Sequence, residues 1–256
     1  MARYEQLAFV ELSFKFFISK NYHQGIKVIE IGSYDVNGSV RKNFPSCHYT
    51  GIDLINGPGV DIVSSGESVD LPDDTYDVAI SCECFEHNQS WRGTFINMHR
   101  MTKPGGLMII TCASRGRTEH GTERTTPSDS PGTQFAGNAY YRNLNVRDFK
   151  TSFNLAGMFR HYQFFYNGIS KDLYFCGWKK AGASLFEGNY DEFAKAVKEL
   201  SPPRKGITSI MYNLPLTAAS HIFPDYYFQN FQKFYKKLLA PLKNKQDAPS
   251  DRATKV

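Results

Sequence analysis

Val28-Ile29-Glu30-Ile31-Gly32-Ser33-Tyr34-Asp35-Val36-Asn37-Gly38-Ser39 is the stretch on which the fold turns. An apolar run beginning at Lys27 ends at Gly32, a residue whose backbone reaches angles closed to others. So short a run, apolar without alternation, reads as a parallel strand buried on both faces. The small and polar residues after it form a turn leading towards a helix. In open α/β sheets ligands bind beyond the carboxyl ends of strands, at the point where the strand order reverses, so this turn is a candidate pocket wall.

Similar runs follow at His48–Asp53, Asp61–Val63, Asp77–Ser81 and Leu107–Cys112, and Trp91–Met101 is of helix length. Upstream, Leu7, Val10, Phe14, Phe17 and Ile18 recur at helical spacing, predicting that residues 1–24 form a helix packed on the core. Residues 113–143 are rich in Gly, Ser, Thr, Pro and Arg, with no apolar period, and read as a long substrate loop or lid. Asn145–Met158 reads as one amphipathic helix, and Phe159–Tyr166 with Leu173–Lys179 as an antiparallel strand pair. The alternation predicts an α/β fold: a doubly wound, Rossmann-like, mostly parallel seven-stranded sheet over residues 25–180, with helices on both faces. Residues 181–242 read as a mainly helical extension, with helices at Asn189–Leu200 and Asp225–Leu239 around the break at Ser201-Pro202-Pro203, and 243–256 as a disordered tail.

The composition is globular: 256 residues, 41% hydrophobic and 21% charged. A net charge of +5 without a dense Lys and Arg stripe gives no reason to expect nucleic acid. The nearest approach is Lys233, Lys236, Lys237, Lys243 and Lys245, a solvated helix face or, with the aromatics between them, a peripheral membrane contact. Five cysteines without framework spacing read as reduced thiols, and Cys82-x-Cys84 lacks the second pair of a zinc site. With no leader pattern and no apolar run of spanning length, a cytoplasmic protein is expected. Nothing indicates the oligomeric state.

The turn after Ile31 is not G-x-G-x-x-G: Ser33 and Asp35 break the spacing that a pyrophosphate cradle needs, which favours a cofactor without phosphates. Tyr49-Thr50-Gly51-Ile52-Asp53 closes the next strand on a carboxylate about twenty residues after Gly32, where it can accept two ribose hydroxyls; its bland reading is a strand-ending turn residue. A third element runs from Gly66-Glu67-Ser68 through Leu71-Pro72-Asp73-Asp74-Thr75-Tyr76-Asp77 to Ser81, and a fourth is Lys103-Pro104-Gly105-Gly106-Leu107.

Taken in this order, E-I-G-S, G-I-D, L-P-D-D-T-Y-D-V-A-I-S and K-P-G-G-L resemble the class I S-adenosylmethionine-dependent methyltransferases. More narrowly, the chain resembles the small-molecule type, in which a Phe-Glu-His or Leu-Glu-His turn follows the fourth strand; here it is Phe85-Glu86-His87. The resemblance covers roughly residues 25–180. It implies S-adenosylmethionine as cofactor, with S-adenosylhomocysteine as product. It also implies that Glu30, Gly32 and Ser33 border the methionine end, that Asp53 holds the ribose and that Leu54 packs on adenine. Glu67 and Ser68 would stand near the adenine amino group, and Ser81, Cys82 and Glu83 would face the methionine. Two departures stand out: Ser33 replaces a second glycine, and Asn56–Asp61 tightens the link between the second and third strands.

A hydroxyl acceptor needs a base near neutral pH. His87 and His120 are the candidates, against the bland readings of a turn-stabilising and an exposed histidine. Arg115, Arg117, Tyr140 and Tyr141 are candidate substrate residues, although Glu119, Glu123 and Asp129 offset much of the loop's charge. No ligand spacing specifies a metal, and a divalent ion is not expected. The preferred expectation is O-methylation of a small polar acceptor, a saccharide or glycan hydroxyl. The rivals are N-methylation of a small molecule and a non-catalytic, methyltransferase-fold interaction subunit.

Overall fold

The computed structural model describes residues 4–19, 25–135, 140–183, 185–186, 188–200 and 207–244. The chain divides into two compact units, residues 1–205 and 206–256. In the first, α1 (Tyr4–Ser13) runs into a wider π-turn, Phe14–Ile18. There follow β1 (Lys27–Ile31), β2 (His48–Asp53), β3 (Ile62–Val63), β4 (Tyr76–Cys82), α2 (Trp91–Met101) and β5 (Thr102–Ala113). After the long loop, which holds α3 (Pro131–Phe135), come α4 (Val146–Ser152), α5 (Leu155–Met158), β6 (Phe159–Asn167), β7 (Asp172–Lys179) and α6 (Tyr190–Glu199). The second unit contains α7 (Ile207–Ile222) and α8 (Asp225–Asn244). Among the described residues no helix is long and apolar enough to cross a membrane.

The seven strands form one sheet in the order β3-β2-β1-β4-β5-β7-β6. The first five pair parallel, while β7 runs antiparallel to both β5 and β6. Strand residues alternate between two apolar layers, as the two-residue period of a strand requires. Val28, Val78, Ile80, Leu107, Ile109 and Tyr174 meet Phe9 and Val10 of α1, Phe17 and Ile18 of the π-turn, and Phe193 of α6. Ile29, Ile31, Ala79, Met108, Ile110 and Phe175 meet Trp91, Phe95 and Met98 of α2 and Phe149 of α4. The chain order reverses between β1 and β4, which places the turn after β1 at the sheet's switch point.

Two helix expectations are corrected. No α-helix follows Ser39: only the single 3₁₀ turn Val40–Asn43 forms, with the Ser39 hydroxyl accepting from Arg41 N at 3.0 Å. Pro45 excludes Phe44 from helical angles, and Phe44 accordingly leaves the turn at φ −120°. Its place on the sheet is taken by α1 and α6. Asn145–Met158 is two helices, because Phe153 is extended (φ −136°, ψ 144°) and Asn154 caps a new start by accepting from Gly157 N. In the C-terminal extension, α8 continues through Asn244 into the segment read as tail. The remainder of that tail lies outside the described residues.

Candidate active site

Beyond the carboxyl ends of β1, β2 and β4 lies a cavity of about 270 Å³. Its floor is the turn after β1. Gly32 stands at φ +81°, and a Cβ built there would come within 2.6 Å of Cys84 Cβ. Bare backbone therefore faces the cavity between two strand ends. The N–H groups of Gly32 and Ser33 both donate to Ile52 O, at 2.9 and 3.0 Å, which ties this turn to β2. Glu83, just after β4, is held at φ +53°, an uncommon state for a side chain other than glycine.

At one end stands Asp53. Its Oδ2 accepts from Tyr34 N at 3.1 Å and its Oδ1 from Leu54 N at 2.7 Å. Burial raises its pKa, and the backbone N–H groups of Tyr34, Leu54 and Ile55 counter that rise. A carboxylate has about four lone-pair sites, so these backbone donors orient this one and still leave capacity for a ligand. Residues 129–133 of the long loop roof this end. The approach is so close that a Cβ on Gly132 would sit 2.8 Å from Asp53 Oδ1.

Glu30 lines the cavity but is only 5% exposed, and its Oε2 accepts the Tyr49 hydroxyl proton at 2.7 Å. Burial lifts its carboxyl to about 7, against the Tyr49 hydrogen bond and the Arg41 charge. The folded chain thus keeps a proton that the unfolded chain releases near 4.5. This contribution to stability is fully present below about pH 4.5 and is lost as pH rises to about 7. Glu30→Gln, which still accepts from Tyr49, should remove the dependence. Relative to the parent, its stability in urea titrations is expected to rise by on the order of 2 kcal/mol from about pH 5 to about pH 8. A constant difference across that range would mean that Glu30 is already ionised in the folded chain.

The opposite end is carboxylate- and imidazole-rich. His87 lines the cavity from the 3₁₀ turn Phe85–His87, is 8% exposed, and has no hydrogen-bond partner on either ring nitrogen. Burial, with His120 and Arg117 adding to it, holds its pKa well below the usual imidazole range, so the ring is neutral. His120 stands edge-on to it at 5.1 Å, and Tyr141 packs against both rings. Behind them Glu86 is fully buried, its pKa raised by burial first and by Glu83 second. Arg117 pairs with Asp172 at 3.1 Å and Glu83 at 3.6 Å. Burial opposes the charge on Arg117, but Asp172 and Glu83 outweigh it and raise its pKa.

Of the sequence-predicted residues, the cavity brings together Glu30, Gly32, Ser33, Asp53, Leu54, Glu67, Cys82, Glu83 and His87. Ser81 and Ser68 stand off its wall, and the Ser81 hydroxyl donates instead to Ile31 O at 2.8 Å. Nor is the cavity lined by Arg115, Arg117, Tyr140, Tyr141 or His120. Arg117 is inward-facing and engaged by internal carboxylates, whereas the Arg115 carbonyl accepts from the Tyr166 hydroxyl. Sequence reasoning missed the loop residues Asp129 to Thr133, which come from far along the chain with no periodic signal. It also missed Cys84, Asn88 and Gln89, although these flank the Phe-Glu-His turn it had quoted.

A family model described as a methyltransferase domain matches residues 8–166. No curated protein matches the chain in sequence. Solved structures with a similar fold include the YcgJ protein of Bacillus subtilis, with 12% identity, TM-score 0.48, and 70% of this chain and 100% of that one covered. Another is the Burkholderia thailandensis 1,6-didemethyltoxoflavin-N1-methyltransferase, with 13% identity, TM-score 0.47, and 69% and 77% covered. A third is a putative methyltransferase in complex with the Haloferax volcanii Trm112 activator, with 13% identity, TM-score 0.46, and 71% and 91% covered.

Proposed function

The chain belongs to the methyltransferase domain family and is an S-adenosylmethionine-dependent methyltransferase, and we propose that its acceptor is a hydroxyl of a small polar molecule, foremost a saccharide or glycan. The cavity residues fit the cofactor. Asp53 keeps acceptor capacity for ribose hydroxyls, Gly32 brings bare backbone to the wall, and Glu30 and Glu83 border the end where the methionine would lie. Leu54 and Glu67 would border the adenine. When bound, the cofactor supplies a methyl group already activated on a sulfonium. The protein's task is then mainly alignment and, for a hydroxyl acceptor, removal of its proton.

The observation that carries the hydroxyl reading is His87. It stands at the cavity wall with neither ring nitrogen hydrogen-bonded, so a lone pair is open to the proton that a hydroxyl oxygen must lose on methylation. Asn88 and Gln89 beside it give this end uncharged polar groups that suit a hydroxylated acceptor. A methyl-transfer screen over sugars, nucleotide sugars, phenols and amines tests the reading; turnover confined to amines would overturn it. The cofactor assignment has its own check. Asp53→Ala is expected to weaken S-adenosylhomocysteine binding in calorimetry by about 1–3 kcal/mol, the loss of charge-assisted hydrogen bonds. Unchanged affinity would move the ribose elsewhere.

A further inference from the structure

We infer that Glu86, His87 and His120 form a binding site for one divalent first-row transition ion, Zn²⁺ or Fe²⁺ in character, at the wall of the acceptor end of the cavity. One donor atom from each residue can be chosen so that all three lie within 4.8 Å of one another. That spacing is slightly wider than the donors of a bound ion, so the side chains would close by under about an ångström. Two imidazoles and one carboxylate suit zinc or iron and not magnesium or calcium, which take oxygen ligands.

Three observations carry the assignment beyond proximity. First, Glu86 and His87 are buried and their donor atoms unanswered. Glu86 is 0% exposed with no hydrogen-bond partner on either oxygen, and neither ring nitrogen of His87 has one. Leaving such groups bare is expensive, and a bound cation is what satisfies them. Second, Arg117 beside the cluster is paired with Asp172 and Glu83, so its hydrogen-bonding fork is directed to those two carboxylates. Third, His120 is set in the tautomer of a ligand. Its Nδ1 donates to Thr118 O at 3.1 Å, which turns the Nε2 lone pair towards Glu86 Oε1, 3.9 Å away. His120 Nε2 and the Glu86 carboxylate thus converge with His87 on one point, which a cation would bridge.

The surroundings hold this geometry. A Cβ on Gly121 (φ +65°) would lie 2.7 Å from His87 Cε1, so glycine is what lets the loop bring His120 against the turn. Thr118 O, which orients His120, also lies 3.2 Å from the Tyr141 hydroxyl, a donor to it. As for the reaction, the inference rests on the hydroxyl reading above. In the metal-loaded chain His87 would act on the acceptor through the ion it holds and not as a free base. The ion would lower the pKa of an acceptor hydroxyl at its open position, the proton would pass to solvent, and the oxygen would attack the methyl carbon. The methyl–sulfur bond breaks, with its electron pair retained on the neutral thioether of S-adenosylhomocysteine.

The full chain, stripped with chelator, should be titrated calorimetrically with Zn²⁺ and by visible absorption with Co²⁺, with Mg²⁺ as a control. One ion per chain is expected, with the Co²⁺ bands of a low-coordinate nitrogen and oxygen site and no response to Mg²⁺. Glu86→Gln and His120→Ala should each weaken Zn²⁺ binding by more than roughly 100-fold, beyond the loss of an outer-shell partner. Both variants should keep S-adenosylhomocysteine affinity, which shows them folded and separates a failure of this site from a failure of the methyltransferase reading. A parent chain that binds no ion at micromolar concentration, or variants that bind it as the parent does, would overturn the proposal. So would a Glu86→Gln chain that gains melting temperature without metal, since Glu86 would then simply be protonated.

Discussion

Replacing His87 by alanine is expected to lower the rate of methyl transfer by roughly 100-fold to 10,000-fold while leaving cofactor affinity within about twofold. His87 lines the cavity wall, and Asp53 and Gly32, to which the proposed reading gives the cofactor, belong to other strand ends. Its removal leaves a space beside Tyr141 and His120, whose rings stand 5.4 and 5.1 Å from it. Free imidazole added to the medium should enter that space and restore part of the turnover. Such rescue distinguishes a chemical role from a packing one. A variant that turns over like the parent would place proton removal elsewhere.

The second large effect is expected at Gly32. Alanine there meets two separate costs. Its φ of +81° is strained for any side chain, by about 1–2 kcal/mol, and its Cβ would press to 2.6 Å from Cys84 Cβ. With the overpacking included, Gly32→Ala should lose about 2–4 kcal/mol of stability and more than about tenfold in cofactor affinity. Gly38→Ala is the matched control. Its φ is +128°, but the nearest atom to a new Cβ is Leu7 Cδ1 at 3.5 Å, so it carries backbone strain without the collision. Thermal melts of the two variants should differ clearly. Equal melting temperatures would mean that close approach to Cys84 contributes nothing.

The sheet was legible because its signals are local. Lys27–Ile31 and His48–Asp53 are apolar runs closed by a glycine turn and a carboxylate, and the pairing register follows from burial. Gly32, Glu30 and Asp53 could be placed at the cavity for the same reason: each sits at a strand end, and strand ends of a parallel sheet converge. The helix expected after Ser39 failed because a proline a few residues on outweighed the fold's habit, and only tertiary packing shows α1 and α6 filling the layer. Glu86 was visible in its motif, but the reason to single it out, burial without a partner opposite His120, depends on contacts with a loop over thirty residues away. The roof at Ser130 to Thr133 lies within the 113–143 segment read as a substrate loop or lid, but no periodic signal singled out these small residues.

That roof also bears on time. Gly132 lies so close to Asp53 that the loop and the Asp53 end of the cavity share one contact. If that contact closes over a bound molecule, its opening would add to the time the molecule stays. A small residue at position 132 thereby becomes a tuning point for turnover: a tighter closure would protect the activated methyl group from water, and a looser one would release spent cofactor sooner.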